Sequence, residues 1–260
     1  MKRRNADNHD VAELRSALAD AHKADKRVGL VPTMGYLHDG HLALIEASRA
    51  QCDVTVVSIF VNPIQFGPRE DLSTYRRDFQ RDEKLCRDAG VTIVFAPASQ
   101  EIYPAQFETF VEPGELAKPL CGAFGQNDFQ QCAVVRRMAI DLNLPIEIVT
   151  VPTVREADRL AMSSRNRYLS EEDRGQALAI SRGLFAAAEA FGLGERNVDK
   201  LVAIAKRHLE TVDQLQYLEL VDGDTLKPAS SPLHRPAALC VAAYVGSTRL
   251  IDNVILQPTP

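Results

Sequence analysis

His38-Asp39-Gly40-His41 places two imidazoles three residues apart, with a glycine between them. An apolar run, Val28 to Val31, leads into the motif, and an amphipathic run, Leu42 to Ala50, follows it. The segment Val31 to His41, VPTMGYLHDGH, is therefore expected where a buried strand turns into a helix. The first turn of a helix carries unpaired backbone N–H groups and the positive end of the helix dipole, which together favour an anion. At i and i+3 of that turn the two rings face the same side. Two proton-bearing donors beside a phosphate-binding helix end suit chemistry at the α-phosphate of ATP. Two histidines beside a turn glycine are on their own commonly a surface feature. The adjoining Pro32-Thr33-Met34-Gly35 and the strand–turn–helix setting favour a nucleotide.

Three further segments carry polar groups at useful places. Asn62 and Gln65, in FVNPIQF, follow a second apolar run; neutral amides at a strand end orient a polar substrate without competing charge. Met162-Ser163-Ser164-Arg165 puts two hydroxyls and a guanidinium on one loop, and arginine can grip two phosphate oxygens at once. Gly125-Gln126-Asn127-Asp128-Phe129-Gln130-Gln131 opens a helix after a glycine. Each of these segments is weak alone, since loop amides and serines are more often structural.

The elements that must position these groups alternate. Val11, Leu14, Leu18 and Ala21 form a helical stripe entered through Asp10 and Glu13. Val28–Val31 is a strand, Leu42–Ala50 a helix, and 53–61 (DVTVVSIFV) an apolar, β-branched strand covered on both faces. Tyr75–Ala89 is helical with Gly90 as its stop, and Val91–Phe95 is a third strand. Phe129–Leu142 is a helix with Asp128 as N-cap, and Ile146–Val151 is a fourth strand. This is an α/β pattern, a Rossmann-like, doubly wound parallel sheet, in which ligands bind beyond the carboxyl ends of the strands. From Ser170 the pattern changes to a long alanine-rich helix reaching about Phe191 and a helix over 198–211. Three strands follow, at 216–221, 238–245 and 249–256, as a smaller C-terminal α+β domain. The expected division is 1–166 and 167–260.

The 260 residues are 45% hydrophobic and 25% charged, with a net charge of −5 and a pI near 5.7. No basic stripe is present, so no nucleic-acid partner is expected. No apolar run reaches membrane length, and MKRRNADNHD has no apolar stretch after its basic residues, so neither a membrane span nor a signal peptide is expected. The cysteines, Cys52, Cys86, Cys121, Cys132 and Cys240, are odd in number and lack metal-ligand spacing. They read as reduced thiols of a cytoplasmic protein, and no protein-ligated metal is expected.

Taken in order, VPTMGYLHDGH, SIFVNPIQFGPREDL, VFAP, IYP, DFQQ, RRMAIDLNLPIEIV, VPTVREADRLAMSSRNRYLS and GSTRLIDN resemble the pantoate–β-alanine ligase family over nearly the whole chain. The resemblance implies a two-step reaction. The pantoate carboxylate attacks the α-phosphate of ATP, giving pantoyl adenylate and pyrophosphate. The amine of β-alanine then gives pantothenate and AMP. The resemblance also implies Mg²⁺ with the triphosphate and a homodimer. By resemblance ATP is held by Pro32, Thr33, Met34, Gly35, Tyr36, Leu37, His38, Asp39, Gly40 and His41, with Gly125, Asn127, Asp128, Val154, Met162, Ser163, Ser164 and Arg165. His38 and His41 stabilise the developing charge, with His41 as proton donor to pyrophosphate. Gln65 and Gln131 bind pantoate, with Asn62 beside Gln65.

Two departures from the family stand out. Leu120-Cys121-Gly122-Ala123 runs straight into Phe124-Gly125, where family members carry roughly 25–30 more residues, about one helix-plus-strand unit. The family's Gly-Glu-Lys-Asp reads Gly125-Gln126-Asn127-Asp128 here, so an amide stands where a phosphate-binding lysine is expected. The sheet is therefore expected to be one strand short, with helix 129–142 linking strand 91–95 directly to strand 146–151, and that strand beside 28–31. Three readings stay open: a ligase of this family with impaired turnover, an adenylate-forming amide ligase for another acid or amine, and a non-catalytic nucleotide-binding protein.

Overall fold

The computed structural model describes residues 6–66, 72–73, 75–105, 107 and 128–258. They fall into two compact units, 1–111 and 112–260. The first unit is built on β1 (Ala6–Asn8), α1 (Val11–Lys23), β2 (Val28–Thr33), α2 (Asp39–Gln51), β3 (Val54–Ile59), α3 (Phe79–Asp88), β4 (Ile93–Phe95) and α4 (Ser99–Ile102). Its sheet is parallel throughout, in the order β1-β4-β3-β2, and Val28 pairs with Val54 through to Thr33 with Ile59.

Handedness places the helices. The steps β2 to β3 and β3 to β4 run the same way across the sheet, and right-handed crossovers put α2 and α3 on one face. The step β1 to β2 runs back, which sends α1 to the other face. The buried side chains agree. Val31, Val57 and Val94 pack with Ile45 of α2 and Cys86 of α3. Val54, Val56, Ile93 and Phe95 pack with Ala21, and Leu14 and Leu18 of α1 lie against them. Asp10 caps α1 by accepting from the Glu13 amide, as its sequence suggests.

The second unit holds α5 (Phe129–Asp141), α6 (Glu171–Gly192), α7 (Val198–His208) and the antiparallel strands β5 (Gln214–Asp222), β6 (Ala237–Val245) and β7 (Thr248–Leu256), in the order β5-β6-β7. Strand β6 is apolar along its length because both faces are covered. Leu239, Val241 and Ala243 face the core shared with α6 and α7, and Ala238 and Cys240 pack with Ala133 of α5. Helices α6 and α7 approach closely at Gly183, where a Cβ would lie 2.7 Å from the Ala205 carbonyl oxygen. Ser170 and Asp173 form a reciprocal capping box at the start of α6.

Two expectations are corrected here. Residues 144–150 form no strand, and among the described residues none pairs with the outer edge of β2. Helix α5 belongs to the second unit, where its buried Ala133 packs on the antiparallel sheet. The physical reason is common to both. A β-branched run becomes a strand only where a neighbouring ladder receives it, and a helix buries its apolar face on whichever sheet offers a matching surface. The short β1 was not foreseen either: its polar triplet Ala6-Asp7-Asn8 has no strand propensity and is held by pairing with Ile93–Phe95.

Candidate active site

In the first unit, β2 delivers the chain to a tight loop and then to α2. The Thr33 hydroxyl donates to the Ser58 carbonyl and accepts from the Gly35 amide, fixing the strand end. Gly35 and Tyr36 follow with φ of 82° and 52°. A Cβ on Gly35 would lie 3.1 Å from Ile59 Cγ2 and 3.2 Å from Asp82 Oδ2, so this position requires glycine.

His38 is the N-cap of α2, and the two histidines cap the helix reciprocally. His38 Nδ1 accepts from the Gly40 amide at 3.2 Å, and His41 Nδ1 accepts from the His38 amide at 3.2 Å. The rings sit 4.0 Å apart, centre to centre. An imidazole whose Nδ1 accepts a backbone hydrogen carries its own hydrogen on Nε2. Both rings are thereby set as neutral Nε2–H donors. Burial, and secondarily the nearby His38, push the His41 pKa down to about 3.

Asn62 opens the turn Pro63–Gln65. Its Oδ1 accepts from the Ile64 amide at 3.2 Å and from the Tyr103 hydroxyl at 2.9 Å, so its side chain shapes the turn that carries Gln65. A cavity of about 250 Å³ opens beside the loop, lined among others by Met34, Gly35, Phe60, Val61, Arg77 and Asp82. That is somewhat below the ~300–1,000 Å³ of drug-sized ligand sites.

The second unit holds the other group of expected site residues. Val154 accepts from the Met162 amide, and Arg155 bridges Ala161, so 154–162 is a narrow hairpin. Ser163 Oγ accepts from the Arg165 amide and caps the turn Ser164–Tyr168. Asn166 is buried and donates to Glu156 Oε1 at 2.6 Å and to the Ala161 carbonyl at 2.9 Å. Arg174 holds Glu156 and Asp158, both at 2.6 Å. Arg155 grips the buried Asp252 with both arms, at 2.7 and 2.9 Å. Burial raises the Asp252 pKa, and Arg155 works against that rise. The loop Met162–Arg165 is therefore rigidly supported.

Gln131 lies on α5, and its Oε1 is buried with no hydrogen-bond partner among the described residues. A buried orphan acceptor of this kind calls for a ligand donor or a water. Asp128 occupies the N-cap position of α5 without a side-chain cap bond. Gly125 and Asn127 lie outside the described residues, as does the junction at 120–125. His38, His41 and Gln65 thus belong to one unit, and Gln131, Val154 and Met162–Arg165 to the other. Asp82 carries no motif and was not singled out in the sequence, and Asn166 lies within the serine–arginine segment without a role assigned to it. The signal for Asp82 was an acid on the apolar face of an amphipathic helix, aligned with Phe79, Cys86 and Ala89.

The family model for pantoate-β-alanine ligase matches residues 8–124 and 116–255. The chain belongs to the pantoate–β-alanine ligase family. The match comes in two pieces that overlap at residues 116–124, beside the junction at 120–125. A relative from Bradyrhizobium diazoefficiens, pantothenate synthetase 1, is 68% identical over 276 aligned positions, covering 96% of this chain and 98% of its own. That alignment is longer than this chain's 260 residues, so the relative has positions with no counterpart here. The pantothenate synthetase of Moorella thermoacetica is 44% identical, over 95% of this chain and 97% of its own. Identity to named synthetases at this level makes the chain an enzyme of the ligase class.

Among solved structures, pantothenate synthetase from Thermus thermophilus superposes with a TM-score of 0.90 at 41% identity, covering 97% of this chain and all of that one. The pantoate-β-alanine ligase of Francisella tularensis, complexed with β-γ ATP and β-alanine, gives 0.75 at 27% identity over 99% of this chain and 100% of that chain. The α/β architecture is thereby established. Among the described residues no helix is long and apolar enough to cross a membrane.

Proposed function

We propose that the chain condenses pantoate with β-alanine through a pantoyl adenylate, releasing pyrophosphate and AMP. The observation that carries this reading is the reciprocal capping of α2 by His38 and His41, which orients two Nε2–H donors at a helix N-terminus. A pantoate carboxylate oxygen attacks the α-phosphorus, and the bond to the β-phosphate bridging oxygen breaks. Charge grows on the departing pyrophosphate, where preorganised donors lower the barrier. His41, neutral in the free protein, donates a hydrogen bond from its Nε2–H to that oxygen, and His38 donates another beside it. The β-alanine amine then attacks the acyl carbon, the bond to the AMP oxygen breaks, and the amine's proton passes to water.

Gln131, with its orphan acceptor, and Gln65 take pantoate. Met34 to His41, Asp128, Val154 and Met162–Arg165 take ATP, with the remaining ATP contacts, Gly125 and Asn127, carried over by resemblance. All these segments precede residue 167, which supports 1–166 as the nucleotide-binding part and 167–260 as the second. The Francisella relative's ATP and β-alanine complex supports the same substrates here. Mg²⁺ would come with the nucleotide and would neutralise charge on the triphosphate. Among the described residues no cluster of three ligating side chains forms a cage for it, and this cation keeps waters and phosphate ligands by preference. A cytoplasmic setting rests on the sequence reading of the cysteines as reduced thiols. The homodimer rests on the family resemblance.

Turnover is slowed by Asn127, which brings no positive charge to the phosphates, and by the missing unit. Pantoate-dependent ATP–pyrophosphate exchange, followed by β-alanine-dependent AMP release, tests the reading. We expect both, with His41→Ala lowering exchange roughly 10²-fold or more, the usual effect of losing one such donor. Exchange with other acids and none with pantoate would mark a repurposed ligase. No exchange with any acid would overturn the enzymatic reading.

A further inference from the structure

We propose that Asp82, seconded by Arg81, is a positioning residue that holds the loop Met34–His38 in the shape that receives the triphosphate; this rests on the ligase reading above. The loop is an unfavourable shape for the chain to hold unaided. Gly35 and Tyr36 both have left-handed φ, which a residue with a side chain adopts reluctantly. Their conformation turns the next two amides toward α3, and Asp82 receives both. Tyr36 N–H donates to Oδ2 at 2.6 Å and Leu37 N–H to Oδ1 at 2.8 Å. The two oxygens of one carboxylate thus match two consecutive amides.

Arg81 completes the grip from the same helix. Its Nη2 donates to the Leu37 carbonyl at 2.9 Å, its Nη1 lies 3.3 Å from Asp82 Oδ1, and its guanidinium sits 4.9 Å above the Tyr36 ring. Leu37, whose backbone is held at both ends, is fully buried and immediately precedes His38. Wherever Leu37 is fixed, the N-cap histidine and the first turn of α2 are fixed too. The Asp82 side chain is only 1% exposed. Burial raises its pKa, against the two amides and Arg81. A buried charge of this kind contributes little to stability, because its desolvation offsets its bonds. Its value lies in geometry: a neutral isostere fills the same space but cannot accept from both amides.

Asp82→Asn tests this in the full chain, with two readouts. Amide hydrogen exchange of the segment 34–41 should quicken about tenfold or more, while β3 stays protected. In ATP–pyrophosphate exchange, KM for ATP should rise about tenfold and KM for pantoate should stay within twofold. Unchanged protection of 34–41, or a pantoate KM that rises as much as that for ATP, overturns the proposal. If the parent chain shows no ATP-dependent exchange, the ligase reading falls, and hydrogen exchange alone decides the clamp. If Asp82→Asn loosens β3 as well, Arg81→Leu replaces it, since it removes only the Leu37 carbonyl bond, the ion pair and the ring contact. Loosening confined to 34–41 then supports the clamp, and no loosening overturns it.

Discussion

His41 joins stability to function through one proton. In the folded chain its pKa lies at about 3, against 6.5 for the unperturbed side chain. The unfolded chain therefore binds a proton as pH falls through about 6.5 while the folded chain does not, and the fold loses stability between there and about 3. At neutral pH that contribution is fully present. We expect the urea midpoint of the parent to fall between pH 7.5 and pH 5.0 by more than that of His41→Ala. Equal falls would show that His41 is not buried as a neutral ring. The histidines were legible in the sequence because chemistry and spacing coincide there. Asp82 was not, because it touches the loop through backbone amides, and a backbone partner leaves no mark in the residue types of either segment.

At the scale of elements, helices and long strands were legible wherever local periodicity and tertiary burial agree, as in α2, β3, α6 and β6. They misled where the two part. Ile146–Val151 has the composition of a strand, yet Ile146 and Val149 are 55% and 47% exposed, and among the described residues no ladder receives them. The hairpin 154–162 and its anchor Asp252 were beyond reach for another reason: Arg155 and Asp252 are far apart in sequence, and nothing local pairs them. That anchor makes a prediction. Removing one member of a buried, bidentate ion pair leaves its partner's charge uncompensated and costs about 3–5 kcal/mol. Asp252→Ala should lower unfolding free energy by about that amount in denaturant titration, and the paired change Arg155→Met with Asp252→Leu should recover most of it. A loss below about 1 kcal/mol for Asp252→Ala would show the pair to be solvated.

At the scale of the whole molecule, the proposed ligase reading has the expected missing helix-plus-strand unit and Asn127 act on the same chemistry. Asn127→Lys alone should raise pantoate-dependent pyrophosphate exchange only slightly, since a charge without closure is poorly placed. Grafting the unit from the Bradyrhizobium relative together with Asn127→Lys should raise it by more than the two separate gains combined, because groups acting as a unit are non-additive. Four proteins settle this: the parent, each single restoration and both. A parent already as fast as the relative would refute the assignment of slow turnover. Light scattering at micromolar concentration tests the dimer, and a monomer mass throughout would contradict it. The outer edge of β2, unpaired among the described residues, has a consequence of another kind. Leu30 on that strand is 63% exposed, and a parallel edge bearing an apolar side chain is a template for extended segments of other chains. Edge pairing of this kind bears on the colloidal behaviour of a protein. Its concentrated solutions should age by edge-to-edge accretion, and a charged residue in place of Leu30 is the change that would keep them clear.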